Sequence, residues 1–204
     1  IEPALVQAAS ATVGTGVNLT VDESIAITSS ATTTMSRSIT LTASTAIAES
    51  VFNVKTNDPD GYLLTLVSAT TSNPAMKQPT DQSKMVNDFV GTSVATGNAP
   101  QAWSTKVTNS AEFGYSAFGS HVVNVGSDKF AATGVSSCGS SDTPSTTLNY
   151  APLVSSANTI ASHTSTTTSA GVDTTVCWAV EQNGTFYIAS GSYQAMAIAT
   201  ATTQ

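Results

Sequence analysis

Residues 51–68 read VFNVKTNDPDGYLLTLVS, and this stretch decides the fold class. Apolar and polar residues alternate on both sides of Pro59, which is typical of strands that bury one face. Pro59 presets its own φ for a turn, and Gly61 tolerates the left-handed backbone on which such turns end. The pattern therefore predicts two strands, at 51–56 and 62–68, joined by a tight turn.

The same turn contains Asp58 and Asp60 in an Asp-x-Asp-Gly fragment that is superficially similar to a calcium loop. An EF-hand loop ends in a bidentate Glu and joins two helices, whereas this fragment lacks that Glu and joins strands. A plain turn is the favoured interpretation, with calcium at Asp58 and Asp60 as the alternative. The sequence indicates no cofactor and no other metal.

Strand patterns recur along most of the chain. Asn183-Gly184 predicts a type I′ hairpin that pairs 176–182 with 185–190, because that turn needs φ > 0 at two successive residues. Residues 81–90 form the best helix candidate, and the rest indicates an all-β, antiparallel β-sandwich with one domain, 14–204, behind an N-terminal arm, 1–13. Further strands are predicted at 17–21, 39–43, 121–125, 176–181, 185–190 and 193–201.

Charged residues make up only 9% of the chain, against about 25% in a typical globular domain. The hydrophobic fraction of 40% argues against disorder, and a net charge of −7 without a Lys/Arg cluster argues against nucleic acid as a partner. No apolar run is long enough for a membrane-spanning helix. The start at Ile1, with no leader pattern, predicts a mature exported protein after signal-peptide removal, located outside the cell or on its surface.

Cys138 and Cys177 are the two cysteines of the chain. An even count in an exported protein favours a disulfide, with two free thiols as the alternative. Neither cysteine has His or Cys neighbours at zinc spacing, so a metal site is rejected. The bridge would fasten a long Ser/Thr-rich excursion, residues 134–170, to the strand that contains Cys177. Trp178 should then point inward, opposite to the cysteine.

No residue pattern specifies a reaction, so we expect no catalytic residues and no enzyme. His121 and His163 are interpreted as surface or strand-end histidines, because the chain has no Gly-x-Ser-x-Gly nucleophile elbow. The carboxylates are scattered singly. Asn18 and Asn183 begin N-glycosylation sequons and are possible glycan sites.

One motif carries a family resemblance. Residues 51–66, Trp103, Phe113-Gly114-Tyr115 and the closing Gly191-Ser192-Tyr193 segment together resemble prokaryotic secreted β-sandwich surface proteins. In that family a corner of the form N-x-P-x-G-Y-x-L-T joins two core strands, and here the corner begins at Asn57. The resemblance implies a jelly-roll or Ig-like sandwich in a surface or filament subunit. It is broadly similar to donor-strand-assembled fibre proteins of the TasA/camelysin type and of archaeal threads.

Two function classes follow. The first is a structural subunit of a pilus-like extracellular filament or cell-surface coat, a homopolymer in which the arm of one copy pairs with an open sheet edge of the next. The apolar residues of the arm, Ile1, Leu5, Val6 and Val13, would fill the groove of the neighbour. The second class is a monomeric secreted module that binds carbohydrate or another surface.

Overall fold

The computed structural model describes residues 18–71, 74–90, 100–103, 111–125, 128–130, 134–182 and 187–204. These ranges contain fifteen strands and no helix. The strands, in chain order, are β1 Ile25–Ser29, β2 Thr45–Thr56, β3 Tyr62–Ser68, β4 Met76–Lys77, β5 Met85–Asp88, β6 Gln101–Ala102, β7 Ala111–Phe118, β8 Asn124–Val125, β9 Asp128–Lys129, β10 Gly139–Ser140, β11 Thr143–Pro144, β12 Asn149–Tyr150, β13 Asn158–His163, β14 Val172–Gln182 and β15 Ala197–Thr203.

Two sheets contribute most of the core. The larger has the order β1-β2-β14-β7-β5-β4, and the smaller has the order β13-β3-β15. Neighbouring strands are antiparallel except β5 and β7, which are parallel. The prediction of an all-β, antiparallel protein is therefore confirmed.

The strand–turn–strand unit at 51–68 forms as its residues predict. The 51–56 segment is the second half of β2, and β3 has the predicted bounds Tyr62–Ser68. In the turn, the Gly61 amide donates to the Asp58 carbonyl (3.1 Å), and the Asp60 amide donates to Asp58 Oδ1 (2.9 Å). Gly61 has φ +89°, the conformation that glycine adopts without steric cost.

Alternation along β3 and β14 builds the core. Leu64 and Leu66 on β3 are at most 1% exposed and meet Val176, Trp178 and Val180 of β14 in one apolar cluster. Burial of each large apolar side chain contributes about 1.5–3 kcal/mol relative to leaving it in water. Trp178 faces this core while Cys177 faces the opposite side, as predicted.

The opposite face of the larger sheet is covered by a second layer. Residues of the Ser/Thr-rich excursion supply it: Leu148 and Tyr150 are fully buried there against Cys177 and Ala179 of β14. Both faces of β14 are thus buried. This explains why apolar residues follow one another from Val176 to Val180 instead of alternating with polar ones.

The helix predicted at 81–90 is wrong. Met85–Asp88 is strand β5, in which Met85 is 41% exposed and Val86 is 1% exposed. β5 pairs with β4 on one side and with β7 on the other. Pairing with the edge of β7 outweighs the weak helical period of this short segment.

The strands predicted at 17–21 and 39–43 are also wrong. Residues 18–21, the described part of the first, and residues 39–43 contain no strand. Leu19 is 86% exposed and Leu41 is 74% exposed, and although Ile39 is partly buried against the core, the alternating apolar residues do not share one buried face. At 40–43 the hydroxyl of Thr40 accepts the amide of Ala43 (3.1 Å), a local side-chain turn that replaces strand pairing.

The pairing predicted for the hairpin is also wrong. β14 pairs with β2 along one edge and with β7 along the other, so no edge of 176–182 is left for 185–190. The described part of that partner, 187–190, contains no strand. Asn183 and Gly184 themselves lie outside the described residues. Two further predicted strands are partly correct. The strand predicted at 121–125 is present only at its end, as β8, and the strand predicted at 193–201 overlaps β15.

Candidate functional site

The edge of β15 is the longest open edge of the smaller sheet. Among the described strands β15 pairs with β3 alone, over all seven residues from Ala197 to Thr203. Ala197, Ala199 and Ala201 pack against the core, and Ile198 on the other face is 51% exposed. The backbone groups on the unpaired side of β15 can therefore accept a further strand.

The sequence around this edge has none of the usual protection against pairing. Residues 194–204 read QAMAIATATTQ and contain no Lys, Arg, Asp, Glu or Pro. In native proteins, charged side chains, Pro or a bulge normally prevent an edge strand from pairing with another chain. Met196, at the start of the strand, is 66% exposed and adds apolar surface. The β15 edge is therefore uncharged and partly apolar, and its side chains do not oppose pairing with another strand.

The edge strand of the other sheet lies beside it. β1 is the outermost strand of the larger sheet and packs next to β15 without pairing with it. Ile25 and Ile27 of β1 are partly buried against the same core as the alanines of β15. The seam between the two sheets therefore presents apolar side chains between two backbone edges that pair with no other described strand.

The predicted disulfide is confirmed. Cys138 and Cys177 are bonded, with 39 residues of sequence separation, and are 5% and 0% exposed. Cys177 lies on β14 in the middle of the larger sheet, so the bridge ties the second layer directly to the best-paired strand. Glu49 on β2 pairs in register with Cys177 and places its Oε2 3.9 Å from Cys138 Sγ.

A polar groove of about 470 Å³ opens beside this bridge. Glu49 supplies its carboxylate, and hydroxyl groups supply most of its polar lining. The hydroxyl-bearing residues are Ser30, Thr32, Thr33, Thr34, Ser36 and Ser137. Hydroxyls and a carboxylate can exchange hydrogen bonds with a polyhydroxylated ligand such as a sugar, although this lining contains no aromatic ring on which a sugar could stack.

Comparisons with family models, curated proteins and solved structures give no match. Any assignment of function must therefore be argued from the residues and their geometry. Within the described ranges, the fold has no helix of the length and apolarity that crossing a bilayer would need.

An aromatic cluster closes one end of the second layer. Trp103 stacks on Phe89 with ring centroids 4.8 Å apart and meets Tyr150 edge-on at 4.9 Å. Its indole Nε1 donates to Glu181 Oε2 at 2.5 Å. Burial raises the pKa of the Glu181 carboxyl, and the Trp103 hydrogen bond offsets part of that effect. The sequence does not reveal this contact, because 78 residues separate Trp103 from Glu181.

We expect Glu181→Gln to stabilise the protein at pH 7 by less than about 1 kcal/mol, or at most roughly 2–4 °C in Tm for a chain of this length, because the carboxylate is only partly buried and solvent screens its charge. A carboxyl whose pKa is raised on folding favours the folded state below its unfolded pKa of about 4.3, and that contribution is lost as pH rises through the folded pKa. The amide keeps the Trp103 acceptor without burying a charge.

Thermal melts of wild type, Glu181→Gln and the exposed control Glu23→Gln between pH 4 and 8 measure this difference. The increase in Tm of Glu181→Gln over wild type should become smaller towards pH 4. A loss of stability at pH 7, or a gain that does not depend on pH, would contradict the argument.

The chain's two histidines come together although 42 residues separate them. The rings of His121 and His163 stack 3.7 Å apart at an interplanar angle of 9°. His121 Nδ1 lies 3.1 Å from Tyr62 Oη, and His163 Nε2 lies 2.8 Å from Ser165 Oγ. His163 ends β13, where the sequence predicted no strand, and the sequence contains no signal for the stack.

The remaining predicted site residues are not gathered into one place. Asp58 is 1% exposed and its Oδ1 accepts the Asp60 amide, which is the role of a turn residue. Among the described residues, no group of three His, Cys, Asp or Glu side chains could hold a metal ion. Asn18 is exposed and Asn183 lies outside the described residues, as do the arm residues Ile1, Leu5, Val6 and Val13.

Proposed function

We propose that this chain is a structural subunit of an extracellular filament or cell-surface coat, a β-sandwich of the jelly-roll or Ig-like type that takes up a strand from a neighbouring copy. The observation that carries the proposal is the open edge of β15, seven residues long and free of charge and proline. An edge of this kind is a template for an added strand, and main-chain pairing needs no charged recognition residues.

The side chains beside this edge suit an apolar donor. The alanines of β15 leave little side-chain bulk above the core, and the isoleucines of β1 line the other side. A donor strand with apolar residues at alternate positions would cover these side chains while its backbone pairs with β15. In the proposal the donor is the arm at residues 1–13 of the next copy, with Ile1, Leu5, Val6 and Val13 as its apolar residues.

The disulfide and the composition of the chain also support a subunit of an extracellular assembly. A buried disulfide is typical of proteins that mature in an oxidising environment, which favours an extracellular location. Residues 194–204 carry no charged side chain, so a neighbouring copy meets no local charge repulsion at this edge, although the chain has a net charge of −7. Glycans at Asn18 would project from an exposed segment.

We expect wild-type protein to form long polymers as concentration rises, and two variants to remain folded monomers. Deletion of residues 1–12 removes the proposed donor. Ile198→Lys places a charge on the exposed face of the acceptor strand, where Ile198 is 51% exposed, so folding should tolerate it. Light scattering and negative-stain microscopy over a concentration series measure the polymers.

Leu41→Lys is the matched control, because Leu41 is 74% exposed and lies in an irregular segment outside β15. It should polymerise like wild type. Mixing the deletion variant with Ile198→Lys should restore short complexes, since one still has an acceptor and the other a donor. Filaments of unchanged length from either variant alone would rule out this mechanism.

The hydroxyl-lined groove beside Glu49 favours one alternative, a monomeric module that binds carbohydrate. This function predicts a monodisperse monomer at every concentration and saturable binding of an oligosaccharide. The concentration series therefore separates the two classes before any ligand is known.

A further inference from the structure

The outer edge of β13 is covered by a short segment that follows β7. The Ser162 amide donates to the His121 carbonyl (2.9 Å), and the Val123 amide donates to the Ile160 carbonyl (3.1 Å). Val122 and Ala161 form an antiparallel bridge between these two contacts. Residues 121–123 thus act as a strap along β13, whose other edge pairs with β3.

The histidine stack joins the strap to the strand. His121 is the first residue of the strap, and His163 is the last residue of β13. Both imidazoles are partly buried, and Tyr62, which is fully buried on β3, contacts both rings. These are the only histidines in the chain, so the fold brings together all of its side chains that ordinarily titrate between pH 5 and 8.

We propose that the His121–His163 stack is an acid-sensitive latch, which holds residues 121–123 along the edge of β13 and releases them when both imidazoles are protonated. Two imidazolium rings in contact repel each other, and a partly buried site screens that repulsion less than bulk water does. Separation of the rings removes a side-chain contact that fastens the start of the strap to the end of β13.

The surroundings of the stack offer little compensation for positive charge. The β2–β3 turn contributes Asp58 and Asp60, and neither makes a hydrogen bond or an ion pair with a ring among the described contacts. β3 contributes the neutral Tyr62. The loop after β13, residues 164–170, contains only Ser, Thr and Ala, and Gln204 after β15 donates to the backbone carbonyls of Tyr62 and His163.

The direction of the titration agrees with this geometry. Burial, followed by the charge of His163, lowers the pKa of His121 below its ordinary value of 6.5. A histidine with a lowered pKa in the folded state contributes stability that is complete above the unfolded pKa. That contribution is lost as pH falls through about 6.5 and below. The latch is therefore closed at neutral pH and weakened in acid.

Hydrogen exchange at pH 7 and pH 5, corrected for the intrinsic exchange rate, tests the latch in the full chain. In wild type, protection of backbone amides in 119–123 and 158–163 should fall at least tenfold more than protection in β14, which reports global unfolding. His163→Phe keeps a ring that can stack on His121 but that cannot be protonated. In this variant, protection of the same amides should fall less than threefold more than protection in β14. An equal fall in both proteins, or no local fall in wild type, would overturn the proposal.

Imidazole NMR titration of the wild type provides a test that needs no variant. We expect the His121 ring to titrate below its ordinary pKa of 6.5, because burial and the charge of His163 disfavour its protonation. A His121 transition at or above 6.5 would show that the stack does not oppose its charge and would also overturn the latch. The outcome does not depend on whether the protein polymerises, because the strap lies on β13 rather than on β15.

Discussion

Reduction of the Cys138–Cys177 disulfide is expected to lower the free energy of unfolding by about 4 kcal/mol. The bridge closes a loop with a sequence separation of 39 residues, and the loss of loop entropy in the unfolded chain accounts for a value of that size. In the folded state it also fastens the second layer to the central strand β14. Urea unfolding of oxidised and reduced protein, followed by tryptophan fluorescence, gives the difference directly.

The oxidised and reduced proteins have the same sequence, so this comparison leaves no cavity and no changed side chain. A Cys138→Ala/Cys177→Ala variant should match the reduced protein to within the cost of the lost sulfur packing, since Cys177 is fully buried. A difference below about 1 kcal/mol would mean that the second layer packs well enough without the bridge, and that its entropic contribution is small.

Gly61→Ala is expected to destabilise the protein by about 3 kcal/mol or more. Gly61 has φ +89°, and a Cβ at this position would lie 1.9 Å from the backbone carbonyl oxygen of His163. The left-handed backbone alone costs an alanine about 1–2 kcal/mol, and the clash forces the end of β13 away from the turn. Thermal or urea unfolding measures the loss.

Gly134→Ala separates the two contributions. Gly134 has φ +87°, nearly the same backbone conformation, but nothing lies within 4 Å of its added Cβ. This variant should lose only the conformational part, about 1–2 kcal/mol. Equal losses at Gly61 and Gly134 would show that the β2–β3 turn can move away from His163 at no cost, contrary to the close packing in the structure.

Local chemistry explains what could be predicted from the sequence. Pro59 fixes its own φ and Gly61 permits the left-handed backbone, so the β2–β3 turn and the strand bounds after it followed from neighbouring residues. The alternation at Cys177 and Trp178 placed their side chains on opposite faces for the same reason. The disulfide needed only the count of two cysteines in a chain that has the composition of an exported protein.

Long-range pairing explains what could not be predicted. Met85 and Val86 pair with β4, and the strand continues at Asn87 and Asp88 because β7 offers them a parallel edge that no residue near them records. The strand at 176–182 has β2 and β7 as its neighbours, although Asn183-Gly184 is a strong local signal for a hairpin. The histidine stack and the Trp103–Glu181 contact likewise join residues that lie far apart in the chain, so only the assembled fold reveals them.

The position of the disulfide also bears on how the protein would respond to mechanical load. If a subunit were pulled from its two ends, as in a fibre under tension, the chain between Cys138 and Cys177 would be bypassed, because the covalent bridge carries the force past it. About 39 residues, or roughly 130 Å of extended chain, would then add nothing to the extension of an unfolded subunit. An oxidised fibre built from this chain would be correspondingly less extensible than a reduced one.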